Sequence, residues 1–476
     1  MSRAESAEAP AGWRHRLSRI PVEVVILGVL AALTRFVFLN DPHAIVFDEV
    51  YFREYALHYK SGVFYFDVHP PLGKLLLAAW AGIAGVDATF ADKDPATVMR
   101  VLPALAGAAL VLVIYAIIRQ LSGNRRAATF GAALVLFENA LVAESRLILI
   151  DSMLLVFGFA AISVALAARG RTGRSYWILF ATSAALAGCA AATKVIGLSA
   201  LGMIGLLWLF DVVRQRPAWK VRAGQFAVLA LVPFTVYALT FAFHFAFLTK
   251  SSKTFDAYMS AEYQSTLKGN PQYRADAHMS FPERFIDLNR TMQNAQNSLN
   301  NGTHPYRSKW TSWPVMKRGV YLYLQPGKDG KSRYIYTLGN PIVWWGVLLG
   351  AAAILIGWIA RPARFRAVKW PLIFLGVGWM ANYLPFAFIE RPMFLYHYFY
   401  ALVFSIAFVA VGLGALLKWN DEGERPFRFA TRASALGYWG LLGAVLFGFL
   451  YFSPITYGLP LTPDGLDARM WLHSWR

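Results

Sequence analysis

Eleven runs of apolar residues, each long enough to cross a bilayer, dominate this 476-residue chain and leave it few folds to adopt. They fall near 22–39, 99–120, 127–145, 147–168, 175–192, 195–213, 224–249, 338–360, 370–389, 393–417 and 433–452. Backbone immersed in hydrocarbon must satisfy every N–H and C=O internally, so such runs are read as helices. The expected fold class is an all-α polytopic membrane protein. Charge is correspondingly scarce, at 15% of residues, where soluble domains carry about a quarter.

The net charge of +19 does not mark a nucleic-acid binder, because the basic residues form no single patch. They lie in short clusters between apolar runs, the pattern that orients membrane proteins. Arg14, Arg16 and Arg19 precede the first run, which reads as an anchor: it approaches the ~20 residues of a span and lacks a small-residue cleavage site. With the N-terminus cytoplasmic, the clusters at 119–126, 169–174, 214–222, 361–369 and 418–432 all fall inside, provided that 72–86 does not cross. At fifteen residues that stretch is short for a span and is expected to lie along the outer interface. The tail beyond Phe452 is then external. Cys189, the only cysteine, lies in an apolar run and excludes an internal disulfide.

This topology divides the chain into a membrane module over 1–249, a large outer loop over 250–337 and a second module over 338–476. A first outer segment, 40–98, lies within the first module. Neither an internal repeat nor the paired interrupted helices of inverted-repeat transporters is visible, which argues against a transporter.

The outer side collects the residues able to do chemistry. Phe47-Asp48-Glu49-Val50-Tyr51-Phe52-Arg53 follows the first run directly. Adjacent residues on a helix face different ways, so the two acids are expected to have different tasks. A carboxylate beside a low-dielectric wall can serve as a general base; an acidic pair can equally stabilise a helix N-terminus. In Phe66-Asp67-Val68-His69-Pro70-Pro71-Leu72-Gly73-Lys74, Gly73 permits close backbone approach. The helix that follows offers amides and Lys74 to an anionic headgroup, or is simply entered by a turn with a snorkelling lysine. Arg146 and Asp151 flank an outer corner, where the arginine suits a lipid phosphate or pairs with the aspartate. Lys194 maps to the same side, while Glu138 lies within the third run. His304-Pro305-Tyr306 with Trp310 and Trp313, in the large loop, suits sugar stacking or an interfacial belt. Arg391 and Tyr396-His397-Tyr398 lie at a further outer edge. No Cys/His metal cluster, Walker loop or dinucleotide fingerprint is present. The tripeptides at Asn289 and Asn301 have the N-glycosylation pattern.

Taken in order, several of these motifs resemble the protein O-mannosyltransferase family, membrane glycosyltransferases of the GT-C fold. The matching residues are Asp48-Glu49, Phe66 through Lys74, Ser145-Arg146 with Leu149-Ile150-Asp151-Ser152, and Thr193-Lys194. Also matching are His304-Pro305-Tyr306 with Ser308 and Trp310, Trp313-Pro314, and Met393-Phe394 with Tyr396-His397-Tyr398. The resemblance implies eleven spans with interfacial helices in the first outer loop, a polyprenyl-phosphate mannose donor, and acceptor Ser or Thr hydroxyls on secreted or membrane proteins. By similarity Asp48 is the catalytic base and Glu49 its partner. Arg146, His69, Lys74, Asp151, Lys194 and His397 fall to the donor side; His304, Tyr306, Trp310 and Arg391 fall to the acceptor side. No cofactor is required and no metal site is expected, although the acids leave a divalent ion possible. Eukaryotic members carry a β-trefoil in the large loop, and 250–337 is too short for one, which implies a bacterial plasma-membrane member. Thr311 stands where many relatives have an aromatic. The nearest rival shares the fold and modifies a lipid, as an aminoarabinose transferase does. Oligomeric state is not legible.

Overall fold

The structure is a computed structural model that describes residues 20–86, 96–298, 304–327, 329–419, 429 and 431–476. The arginines before Ile20, the Asn301 tripeptide and most of the 418–432 cluster lie outside the described residues. Helices of seven or more residues are numbered α1 Val22–Phe36, α2 Glu49–Ser61, α3 Leu72–Ile83, α4 Ala96–Ser122, α5 Arg125–Leu136, α6 Asn139–Ser145, α7 Asp151–Ala168 and α8 Gly173–Thr193. They continue as α9 Leu198–Gln215, α10 Trp219–Phe247, α11 Phe281–Ser298, α12 Pro341–Ala360, α13 Lys369–Tyr383, α14 Phe399–Leu416 and α15 Arg432–Tyr457.

Every apolar run forms a helix. Among the described residues nine helices, some with short continuations, are long and apolar enough to cross a membrane. The run 127–145 is a tenth only if α5 and α6, bent by 60°, count together. The first run, α1, has 15 described helical residues.

Two buried charges explain the α5–α6 bend. Arg35 of α1 donates to the C-terminal carbonyls of α5, at Leu136 O (2.9 Å) and Val135 O (3.2 Å). Glu138 caps α6 by accepting from Leu141 N, and also accepts from Asn340 N and the Trp344 indole, each within 2.8 Å. Polar partners thus replace the helical bonds that a break inside a bilayer would leave unmade. Glu138 is structural.

The stretch 72–86 forms α3, 12 residues long. At 1.5 Å per residue it extends about 18 Å, well short of a hydrocarbon core of about 30 Å. Gly73 at its start lies so close to the corner before α7 that an added Cβ would sit 2.7 Å from Ile150 Cγ2 and 3.3 Å from Thr193 Cγ2. That contact sets the His69–Lys74 loop against Asp151 and Lys194.

The helical fold carries one small sheet besides. Strands β1 (Val320–Pro326) and β2 (Ser332–Thr337) form an antiparallel hairpin in the large loop. Strand β3 (Pro460–Leu461), beyond α15, pairs with β2 through Ser332↔Leu461 and Arg333↔Pro460. The tail also returns Trp475, fully buried, whose indole donates to Met316 O at 2.7 Å. Loop and tail therefore lie at the same end of the bundle, where the topology placed both.

Candidate active site

A cavity of about 830 Å³ opens at that end. Its walls bring together Asp48, His69, Asp151, Lys194, Arg391 and His397, from five separate stretches of chain. These are residues that the charge topology assigned to one side.

Asp48 is the residue immediately before α2, and Phe47 before it takes a left-handed φ of 51°. Burial, opposed by Lys194 and reinforced by Asp151 and Asp67, pushes the Asp48 carboxyl up to about 6. Asp151 starts α7 and Lys194 follows α8; the Lys194 ammonium lies 2.8 Å from both Asp151 oxygens. Asp151 thus pairs with Lys194 rather than with Arg146. The Lys194 ammonium also lies 5.8 Å from the centroid of the Tyr396 ring.

The His69 loop is held from beneath. Lys74, 1% exposed, donates to Asp67 and to the His69 carbonyl. Burial pulls the His69 imidazole down to about 3 despite the opposing Asp67 charge, so the ring is neutral at ordinary pH. His397 is oriented by its own turn, where Nδ1 lies 3.2 Å from Phe394 N and 3.1 Å from Phe394 O.

Three expected site residues lie behind the wall. Glu49 is fully buried: Oε1 accepts from Arg100 Nε (2.7 Å) and Ile148 N (2.8 Å), Oε2 from Arg100 Nη2 (2.7 Å) and Val46 N (2.8 Å). It does not line the cavity; it locks the segment that carries Asp48. Arg146 is corrected likewise. Its guanidinium donates to the carbonyls of Arg35, Val37 and Phe38 at the end of α1 and lies 4.4 Å from the centroid of the Tyr457 ring. Arg146 does not line the cavity, and Asp151 is paired with Lys194 instead. Lys74, bonded as above, does not line the cavity either.

The large-loop residues His304, Tyr306 and Trp310 also stand outside the cavity. His304 packs edge-on against Phe394 at 4.9 Å, Tyr306 stacks on Tyr321 at 5.8 Å, and Trp310 meets Tyr383 at 5.0 Å. Ser308 N donates to Met393 O, and buried Trp313 lies parallel to His397 at 6.0 Å. This motif buttresses the turn that presents Tyr396 and His397.

Sequence reasoning missed Arg100 and Glu144. Glu144 lines the cavity and accepts from the Thr337 hydroxyl at 2.6 Å. Both carried a visible signal, a charge near the outer end of an apolar run. Gln293, Gln296 and Asn297 of α11 complete one wall, and Gln296 donates to Val68 O at 3.2 Å. Among the described residues no three His, Cys, Asp or Glu side chains are grouped to hold a metal ion.

The cavity continues into an apolar mouth. Val195 and Leu198 on one side are 54% and 52% exposed, and Phe388 and Ile389 on the other are 89% and 37% exposed. All four belong to, or adjoin, helices apolar enough to cross a membrane.

The fold matches a solved structure of the Saccharomyces cerevisiae protein O-mannosyltransferase Pmt1-Pmt2 complex bound to the sugar donor, with a TM-score of 0.85. Sequence identity is 20%, covering 98% of this chain and 93% of that one. The architecture is that of the GT-C class of membrane glycosyltransferases. Residues 25–249 match the family described as dolichyl-phosphate-mannose-protein mannosyltransferase, and 281–475 match the C-terminal four-transmembrane region of protein-O-mannosyltransferase. The chain belongs to the protein O-mannosyltransferase family. It is 34% identical over 262 residues to protein O-mannosyltransferase 1 of Drosophila pseudoobscura pseudoobscura, covering 51% of this chain and 29% of that protein. It is 30% identical over 323 residues to dolichyl-phosphate-mannose–protein mannosyltransferase 4 of Candida albicans, covering 62% and 42%. The aligned stretches thus cover less than half of either curated relative.

Proposed function

We propose that the protein transfers mannose from a polyprenyl-phosphate donor to Ser or Thr hydroxyls of proteins, with inversion at the anomeric carbon. The observation that carries this is Asp48, a desolvated carboxylate facing a cavity that also holds Lys194, Arg391 and His397. Asp48 takes the acceptor hydroxyl proton as the oxygen attacks C1. The bond from C1 to the phosphate oxygen breaks, and the electron pair leaves on the lipid phosphate. Lys194 and Arg391, with His397 beside them, stabilise that charge; preorganised charge of this kind often contributes more to rate enhancement than any other effect. The phosphate is already a good leaving group, so no general acid is required. The apolar mouth between Val195/Leu198 and Phe388/Ile389 suits the polyprenyl tail, which a nucleotide-sugar donor would not need.

His69 is proposed to face the donor sugar, and the amides of Gln293 and Asn297 to meet the acceptor backbone. The basic clusters support a cytoplasmic N-terminus, so the reaction runs at the extracytoplasmic face of what we read as a bacterial plasma membrane.

The test is to incubate purified protein with radiolabelled polyprenyl-phosphate mannose and a pool of Ser/Thr-rich peptides. Label on peptide, lost in Asp48→Asn while donor binding persists, is the expected result. Label transferred only to lipid would overturn the acceptor assignment.

A further inference from the structure

A second cavity, of about 310 Å³, lies at the opposite end of the bundle. Helices α7 and α8 locate it. Asp151 at the start of α7 and Lys194 just past α8 line the catalytic cavity, whereas Ala168 at the end of α7 and Gly173 at the start of α8 line the second. The 18 residues of α7 separate the two by roughly 27 Å, close to a hydrocarbon thickness. The second cavity therefore sits at the other membrane face.

Its interior is aromatic with a polar floor. Tyr176, Trp177, Phe180 and Trp208 form walls. Buried Gln225 accepts from the Trp208 indole at 2.9 Å and donates to the Tyr176 hydroxyl at 2.6 Å, which leaves the phenol proton free to be donated. Charge is heavily one-sided. The helix ends that form the cavity carry Arg169, Arg171, Arg174, Arg214, Arg216, Lys220 and Arg222 against a single acid, Asp211. Asp211 is already neutralised by Arg169 at 2.6 and 2.9 Å. Arg171, exposed on the loop between α7 and α8, lines the cavity.

We propose that this cavity binds the headgroup of an anionic membrane phospholipid. Arg171 meets the phosphate, the Tyr176 hydroxyl donates to a headgroup oxygen, and the aromatic walls receive the glycerol and the first acyl carbons. Basic pockets between transmembrane helices are suited to such headgroups, and rings with one polar edge to the interface. The site is remote from Asp48 and takes no part in sugar transfer.

The test uses the full chain in detergent at physiological ionic strength, where charges beyond about 8 Å are screened. Mixed micelles of phosphatidylglycerol or phosphatidylcholine are supplied, and retained lipid is read by native mass spectrometry. Phosphatidylglycerol is expected to be retained and phosphatidylcholine not. Arg171→Glu lowers retention roughly tenfold or more. Arg222→Glu, the same charge change on a residue that does not line the cavity, lowers it less than about threefold. Excess inorganic phosphate leaves the lipid in place. Equal retention of both lipids, equal losses in the two variants, or displacement by phosphate would each overturn the proposal.

Discussion

Replacing Glu49 with Gln separates the two adjacent acids. Each Glu49 oxygen accepts one Arg100 N–H and one backbone N–H. An amide keeps only one of these oxygens. Whichever way it is turned, its NH2 faces two donors, so two charge-assisted bonds are lost and Arg100 loses its counter-charge. Both side chains are 0% exposed, so water does not soften the loss. Breaking one partner of a buried pair costs about 3–5 kcal/mol. For a protein of this size that corresponds to an apparent melting temperature lower by roughly 3–5 °C, read by a thiol-independent dye or light scattering in detergent. Arg100→Met is expected to be at least as damaging, since Arg100 also holds the carbonyls of Leu39, Pro42 and Ala44. Turnover falls in Glu49→Gln because Asp48 is no longer held. The refuting result is a Glu49→Gln protein with unchanged melting temperature and no turnover, which would make Glu49 a direct participant.

Asp48→Asn is expected to behave oppositely, abolishing turnover while leaving the melting temperature unchanged or higher. The folded-state value of about 6 lies above that of an exposed aspartate, so the protonated form is favoured by folding and that stability is lost as pH rises through about 6. For the same reason kcat/KM is expected to fall tenfold per pH unit below about 6, with one ionisation; a profile flat to pH 5 would remove Asp48 as the base. His69, already neutral, contributes no step in that range. Lys194→Met should weaken donor binding by at least about tenfold, because it removes the cation proposed to face the phosphate and leaves Asp151 unpaired; equilibrium binding of polyprenyl phosphate checks this. Arg146→Met should lower thermal stability with donor affinity unchanged, and a lost affinity would restore Arg146 to the donor site. Gly73→Ala should cost about 1–3 kcal/mol through contact with Ile150, relieved by a second change, Ile150→Ala; a Gly73→Ala protein of wild-type stability would refute the close approach.

Most of the spans, and which corners share one end of the bundle, were legible because hydrocarbon imposes length and basic clusters alternate with the spans. Asp48, His69, Asp151, Lys194, Arg391 and His397 converge for that reason. Partner choice was not legible. Arg146 lies five residues before Asp151, yet it is held by carbonyls at the end of α1, over a hundred residues earlier. The Asp151–Lys194 pair spans 43 residues. The two acids were expected to have different tasks, but that Glu49 is held behind the wall follows only from the arrival of Arg100 from α4. The hairpin was a missed signal: Val320–Leu324 and Ser332–Thr337 are aromatic and β-branched runs around a Gly-containing turn.

The bent α5–α6 segment has a consequence for how the chain matures. Glu138 draws two of its donors, Asn340 N and the Trp344 indole, from residues made more than two hundred positions later. Until α12 emerges from the ribosome, that carboxylate waits in the membrane half-satisfied. The first seven spans should therefore be poor substrates for release and good ones for quality-control proteolysis. A fragment ending at 249 is expected to be degraded when expressed alone and rescued when 250–476 is supplied from a second gene. The protein is completed from its C-terminal half backwards.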